Sequence, residues 1–248
     1  MGQCIAVVSG KGGTGKTSFT AGVGEALALS GRRVLCLDCD VGLRNLDLAL
    51  GLSDRALMDF SDVAQGRCSL DAAVVEHPQL PGLFLLTAPV RTRGRPVTEG
   101  QMADLLTEVR KRYDFCLLDA PAGLGGGFVL ATAAADRAVV VTTTDTSSLR
   151  DAQHTVMELD RFGSGKLHLV VNLVRRKMLR SMHATIDDAI DKAGLPLIGV
   201  VPEDDALLLS LNRGTPLLLS DGQGAAASAY RNIAKRLQGG KVPLLRIK

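Results

Sequence analysis

The sequence predicts an α/β fold, a mostly parallel, doubly wound sheet with helices on both faces. Three observations carry this reading. Short apolar runs bounded by turn residues alternate with longer stretches of helical period. The short runs are continuously apolar, as strands covered on both faces require. The first of them passes through a glycine-rich loop straight into a helical stretch.

Taken in order, Cys4 to Ser9 is the first expected strand, and Gly15 to Leu29 reads as a helix closed by Gly31. Arg33 to Leu37 and Leu83 to Leu86 are the next strands. Thr98 and Gln101 make a capping box before a helix from Gln101 to Tyr113, whose buried stripe is Met102, Leu105, Leu106 and Val109. Strands follow at Phe115 to Asp119 and Ala138 to Thr142, then a helix from Ser148 to Phe162 ended by Gly163. Strands at Leu167 to Asn172 and Leu197 to Val201 flank a helix from Ile186 to Ala193. The last helix, Ala225 to Leu237, places Tyr230, Ile233 and Leu237 on one face.

With 248 residues and 46% apolar composition, residues 1–248 are expected to form one domain, with residues 238–248 as a basic tail. A net charge of +3 lacks the excess of a dedicated nucleic-acid binder, so no specific nucleic acid is expected. No secretory signal is evident at Met1 to Val8, and no apolar run approaches the length of a membrane span. Five scattered cysteines suit reduced thiols in a cytoplasm.

Gly10 to Thr17, GKGGTGKT, matches the phosphate-binding pattern G-x4-G-K-[ST] between a strand and a helix. Glycines let backbone N–H groups close on phosphate oxygens, and the following helix adds the positive end of its dipole. Gly10, Lys11, Gly12, Gly13, Thr14, Gly15, Lys16, Thr17 and Ser18 form the expected ATP/ADP-contacting set. Lys16 would neutralise the β- and γ-phosphates and the Thr17 hydroxyl would ligate Mg²⁺. Asp119, an acid ending an apolar strand, reads as a second Mg²⁺-holding group, and Ala120 to Gly123 as a switch loop. Asp38 and Asp40 stand where an open sheet gathers ligand groups, at the end of the second strand. The amide of Asn172 ends another strand and could pair with a base edge.

The second lysine in the loop, Lys11 of KGGTGKT, makes the sequence resemble the ParA/MinD family of deviant Walker A P-loop ATPases. The resemblance implies that Lys11 reaches the phosphates of a partner subunit in an ATP-bound homodimer, so that hydrolysis depends on dimerisation. It also implies that Asp38 orients the Mg²⁺ water shell, Asp40 positions the attacking water, and Asn45 lies in the first switch. Asn172 is implied to read adenine, with Pro202 and Glu203 touching the base through their backbone. Asp47 is expected to be structural.

DCDVGLRNLDLALGL, Asp38 to Leu52, is close to the MinD branch of that family, and VVVTTTDTSSLRDA, PLIGVVPEDDALLLSLNRGTPL and AYRNIAKRLQGGKVPL agree in order. This branch positions the bacterial division septum. It implies an ATPase that is cytoplasmic and peripheral on the inner face of the membrane, recruits a MinC-like division inhibitor and is released by a MinE-like activator. An anionic membrane surface is the implied partner, yet Leu244, Leu245 and Ile247 are too few for a stable apolar helix face. Two alternatives remain: a ParA-like or flagellar-number ATPase using the basic loops at 91–95 and 175–180, and a metal-cofactor maturation ATPase using Cys36 and Cys39.

Overall fold

The computed structural model describes residues 1–53, 55–91, 95–163, 165–175, 177, 181, 185–220 and 222–245. Thr92 to Gly94, Arg176, Met178 to Arg180 and Arg246 to Lys248, which hold most of the basic loops and the tail end, lie outside the described residues.

One eight-stranded sheet organises the chain. Its strands are β1 (Gln3–Val8), β2 (Val34–Asp38), β3 (Val75–Glu76), β4 (Leu83–Leu86), β5 (Phe115–Asp119), β6 (Arg137–Thr142), β7 (Leu167–Val174) and β8 (Leu197–Pro202). The spatial order is β3-β4-β2-β5-β1-β6-β7-β8, with β1 between β5 and β6. Every pairing is parallel except that of β3 with β4. The expected fold class is borne out. All seven expected strands are present with ends shifted by a residue or two, and the addition is β3, whose two residues are too short to show a period.

Alternation along each strand divides the core in two. Cys4, Ala6 and Val8 of β1 face one layer, and Ile5 and Val7 face the other. The first layer is covered by α3 (Phe60–Ala64), α4 (Leu70–Ala73), α5 (Glu99–Arg112), α6 (Gly126–Ala133), α7 (Thr146–Glu158) and α8 (Ile186–Ala193). The second is covered by α1 (Lys16–Leu29), α2 (Leu46–Ala49), α9 (Asp205–Arg213), α10 (Leu217–Ser220) and α11 (Ala225–Leu237).

Sequence periodicity located α1, α5, α7, α8 and α11. The expected helix from Ser148 to Phe162 instead starts at Thr146, ends at Glu158 and is followed by a 3₁₀ turn, Asp160–Phe162. Its start is set by Asp145, whose carboxylate accepts from Ser148 N and so satisfies an open helix donor. The unexpected helices are short, or begin on glycine as α6 does, or expose leucines as α9 does at Leu208 and Leu209. Each of these features blurs an amphipathic signal.

Helices α1 and α11 pack closely over the second layer. Phe19 meets Tyr230 edge to face at 6.2 Å, and a Cβ added to Gly22 would fall 2.3 Å from the Tyr230 ring. Glu25 of α1 is buried and accepts from Leu218 N of α10 at 2.9 Å, and burial raises its pKa to about 7.

Candidate nucleotide site

The site gathers at the C-terminal ends of the central parallel strands, where an open α/β sheet leaves backbone groups and strand-end side chains unpaired. Gly15 precedes α1 with φ +80°, in the left-handed region, and a Cβ there would lie 2.4 Å from Asn172 Nδ2. Gly10 has α7 against it, since an added Cβ would meet Asp151 O at 2.6 Å and Thr155 Oγ1 at 2.8 Å. Glycine at both positions lets the loop pass between β7 and α7.

The N-terminus of α1 has no side-chain cap and no acidic residue in its first turn. Its open N–H groups and positive dipole end therefore suit an anion. A cleft of about 290 Å³ adjoins this loop, lined by Lys11, Gly12, Gly13 and Thr14 together with Thr143 to Asp145, Ser148, Leu173, Arg175 and Glu203. Thr14 Oγ1 in the loop and Asn172 Oδ1 beside it are buried and have no hydrogen-bond partner among the described residues.

The two lysines of the loop sit in different surroundings. Lys16 is buried, and its Nζ donates to Ser9 Oγ at 2.9 Å while Ser9 Oγ donates to Lys11 O at 2.7 Å. Burial pushes the Lys16 ammonium below its ordinary pKa, and Asp119 and Asp40 oppose that shift. Lys11 is exposed. It lies 3.5 Å from Asp145 and donates to Ser147 Oγ at 2.7 Å.

Register explains the two buried acids. Asp38 and Asp119 are direct partners across β2 and β5, and both follow side chains of the α1 layer at the i−2 position, Cys36 and Leu117. Asp119 is reached by Thr20 Oγ1 at 3.2 Å and by a Thr17 hydrogen bond. Its pKa is raised to about 7, first by burial and further by Asp38, against Thr17 and Lys16. Asp38 is raised to about 6 by burial, with backbone donors Asp40 N at 2.8 Å and Leu46 N at 3.1 Å pulling it down. Two desolvated carboxylates lie side by side with Lys16 as the cation acting on Asp119, an oxygen-rich pair of the kind that Mg²⁺ takes as ligands.

Asp40 is half-buried, and burial raises its pKa against the pull of Lys16. Thr17 and Ser18 lie in the first turn of α1. Asn45 stands exposed at the N-cap of α2 and makes no side-chain cap. Asp47 pairs with Arg44 at 2.8 Å, and Arg44 carries a positive φ of 46°.

Asn172, the expected reader of a base edge, ends its contacts in this structure on the phosphate loop. Its Nδ2 is committed to Thr14 O at 2.8 Å, and the side chain is buried, so here it braces the phosphate loop. Leu173 follows with φ +53°, a strained conformation for a leucine that accompanies the register break between β7 and β8. Pro202 ends β8, Glu203 N donates to Val174 O, and the Glu203 carboxylate pairs with Arg175 at the cleft.

Sequence reasoning missed Ser9, Thr20 and Asp145. Asp145 had a signal, the spacing of an N-cap ahead of Ser148. Ser9 and Thr20 became visible only with the side chains they touch. Cys36 and Cys39, a candidate metal pair, pack into opposite layers of the sheet, so their thiols cannot converge on one ion.

Comparison with known proteins agrees with this geometry. A profile of the CobQ/CobB/MinD/ParA nucleotide binding domain matches residues 5–217. The septum site-determining protein MinD of Synechocystis sp. is 39% identical over 246 residues, which cover 99% of this chain and 92% of that protein. The MinC:MinD cell division protein complex of Aquifex aeolicus is similar with a TM-score of 0.90 and 35% identity, covering 98% of both chains. MinD complexed with Mg-ADP from Pyrococcus horikoshii OT3 gives 0.83 at 29% identity, covering 96% of both. With its phosphate loop, paired acids and near full-length similarity, the chain belongs to the MinD branch of the CobQ/CobB/MinD/ParA nucleotide-binding family.

Proposed function

We propose that the chain is a Mg²⁺-dependent ATPase that dimerises with ATP and acts as a switch in placing the division site. The observation that carries this reading is the division of labour between the lysines. Lys16 is buried and bonded to Ser9 at the root of the loop, whereas Lys11 is exposed and turned toward Asp145 and Ser147. A cation held at the surface is available to a second subunit, and a buried one serves its own nucleotide.

Backbone N–H groups of Gly12 to Gly15 and the α1 N-terminus would cradle the phosphates of ATP or ADP, with Lys16 as counter-charge. Thr17, Asp38 and Asp119 would hold Mg²⁺, which when bound neutralises charge on the phosphate oxygens. Asp40, close enough to Lys16 for each to shift the other, would orient the attacking water; a loose transition state needs positioning more than a strong base. Gly123 N already donates to Ser9 O at 3.1 Å, which ties the second switch to the phosphate loop. Asn172, braced on Thr14, would present its open oxygen toward an adenine, and Pro202 and Glu203 would meet the base through their backbone.

Val41, Leu43 and Leu48 are exposed around the first switch, an apolar edge that suits a homodimer face. Among the described residues no helix is long and apolar enough to cross a membrane, so an inner-membrane association would be peripheral. A MinC-like inhibitor as partner is supported by the similarity to MinD in the MinC:MinD complex, and a MinE-like activator by membership of the branch.

The test is sedimentation with ATP, ADP or no nucleotide, with and without anionic vesicles. ATP should yield a dimer that pellets with vesicles and hydrolyses ATP faster as protein concentration rises. A monomer in all three nucleotide states, or binding to DNA in place of vesicles, would sink the reading.

A further inference from the structure

A second cavity, of about 620 Å³, lies between the segment that follows β2 and the first turns of α6. Cys39 and Val41 line it from the first, Gly126, Val129 and Leu130 from the second, and Phe60 from α3. This volume is in the range of sites for small organic ligands, and the lining is mostly apolar.

Two consecutive glycines, Gly126 and Gly127, line the space. Gly127 is required, because a Cβ there would meet Pro121 Cγ at 2.4 Å. Gly126 is not. Its φ is outside the left-handed region, and a Cβ there would meet nothing within 4 Å. At the first position of α6, Gly126 leaves its side of the cavity unfilled.

The polar groups of the lining are mostly committed. Ser61 Oγ donates to Asp59 at 2.6 Å, and the Thr98 hydroxyl serves the cap of α5. Gln65 Nε2 holds the carbonyl of Arg95 at 2.9 Å, but the Arg95 guanidinium forms no ion pair among the described residues. Glu99 also lines the space, so a bound anion has to place its head on the Arg95 side, away from that carboxylate.

We propose that this cavity binds an amphipathic monoanion, an acyl or aryl carboxylate, with its apolar body against Phe60, Val129 and Leu130 and its head on Arg95. Occupancy is coupled to the nucleotide site, a part that rests on the nucleotide reading above. Cys39 and Val41 flank Asp40, whose N–H is held by Asp38, and Cys39 N donates to Asp119 O at 2.9 Å. A ligand against Cys39 and Val41 therefore presses on the backbone that positions both strand-end acids.

Sodium decanoate is the probe, titrated calorimetrically into the full chain below its micellar range. Saturable binding at one site is expected. Gly126→Leu and Val129→Phe, which fill the space from two positions, should each weaken it about tenfold, and Arg95→Gln about fivefold. Thermal melts check that the variants fold, and the second filling variant carries the test if the first does not. No binding, or undiminished binding to a folded filling variant, overturns the site; decanol binding as tightly as decanoate overturns the anionic head. ADP affinity with saturating decanoate should shift about fivefold. An unchanged affinity overturns the coupling, whereas absence of ADP binding overturns the nucleotide reading and leaves the decanoate result standing.

Discussion

Lys11 and Asp145 form an ion pair at 3.5 Å that ties the exposed lysine of the phosphate loop to the start of α7 in its own chain. Hydrogen bonds from Thr143, Ser147 and Ser148 hold the Asp145 carboxyl well below the usual carboxylate range, although burial alone would raise it. The aspartate is therefore charged throughout the physiological range. To serve a second subunit, Lys11 has to leave it.

Asp145→Asn keeps an N-cap for α7 while removing the charge that retains Lys11. Because both side chains are nearly half exposed, at 45% and 47%, the retained pair is worth about 0.5 kcal/mol after screening. Turnover without an activator should rise about twofold. Steady-state ATPase assays at matched protein concentration read this directly, and a fall in rate would mean that Asp145 does more than store the lysine.

Substitution of the two lysines should separate binding from turnover. Lys16→Met is expected to abolish nucleotide binding while the chain stays folded, since the charge it removes is one that burial disfavours and that Asp119 and Asp40 only partly offset. Lys11→Ala should bind ADP normally and lose the rise of turnover with protein concentration. Fluorescent nucleotide titration and concentration-dependent assays distinguish the pair; normal turnover by Lys11→Ala at high concentration would remove its role across the dimer.

The pH dependence of the nucleotide-free chain follows from Asp38, Asp119 and Glu25, raised to about 6, 7 and 7. An acid whose folded pKa exceeds its unfolded value binds more protons when folded, so stability falls as pH rises from about 4 through these values. Melting temperature should decline between pH 5 and pH 8, and Asp119→Asn should remove part of that slope while Asp38 and Glu25 keep the rest. Mg²⁺ with ADP should restore most stability above pH 7, where the wild-type acids are charged. A flat profile would show that these carboxylates are already compensated.

Gly15→Ala places a methyl group 2.4 Å from Asn172 Nδ2 on a backbone at φ +80°. A cost of about 2 kcal/mol is expected from strain and displacement of the Asn172 brace. Denaturant unfolding gives the stability, and ADP titration should show weaker binding even where the variant remains folded.

Much of this was legible in the sequence because the signals were local. The spacing from Gly10 to Thr17 and the apolar run ending at Asp119 each contain their own structural context. The pairing of Asp38 with Asp119 was not, since it depends on β2 and β5 being neighbours although more than seventy residues separate them. The commitment of Asn172 to Thr14 was hidden for the same reason, and the sequence suggested an amide free for a base. Asp145 lay between, with its cap spacing visible and its hold on Lys11 dependent on α7 packing against Gly10.

The contact of Gly22 with the Tyr230 ring gives α1 and α11 little room to slide. Helix α1, on the order of 20 Å long, thus acts with α11 as a strut from the phosphate loop toward the N-terminal ends of the strands. Load applied at the C-terminal segment after Leu237 would be carried to the root of the loop without bending either helix. In the proposed nucleotide cycle, movement would then fall to the strand-end segments around Asp40 and Gly123, with the strut as the fixed frame against which they turn.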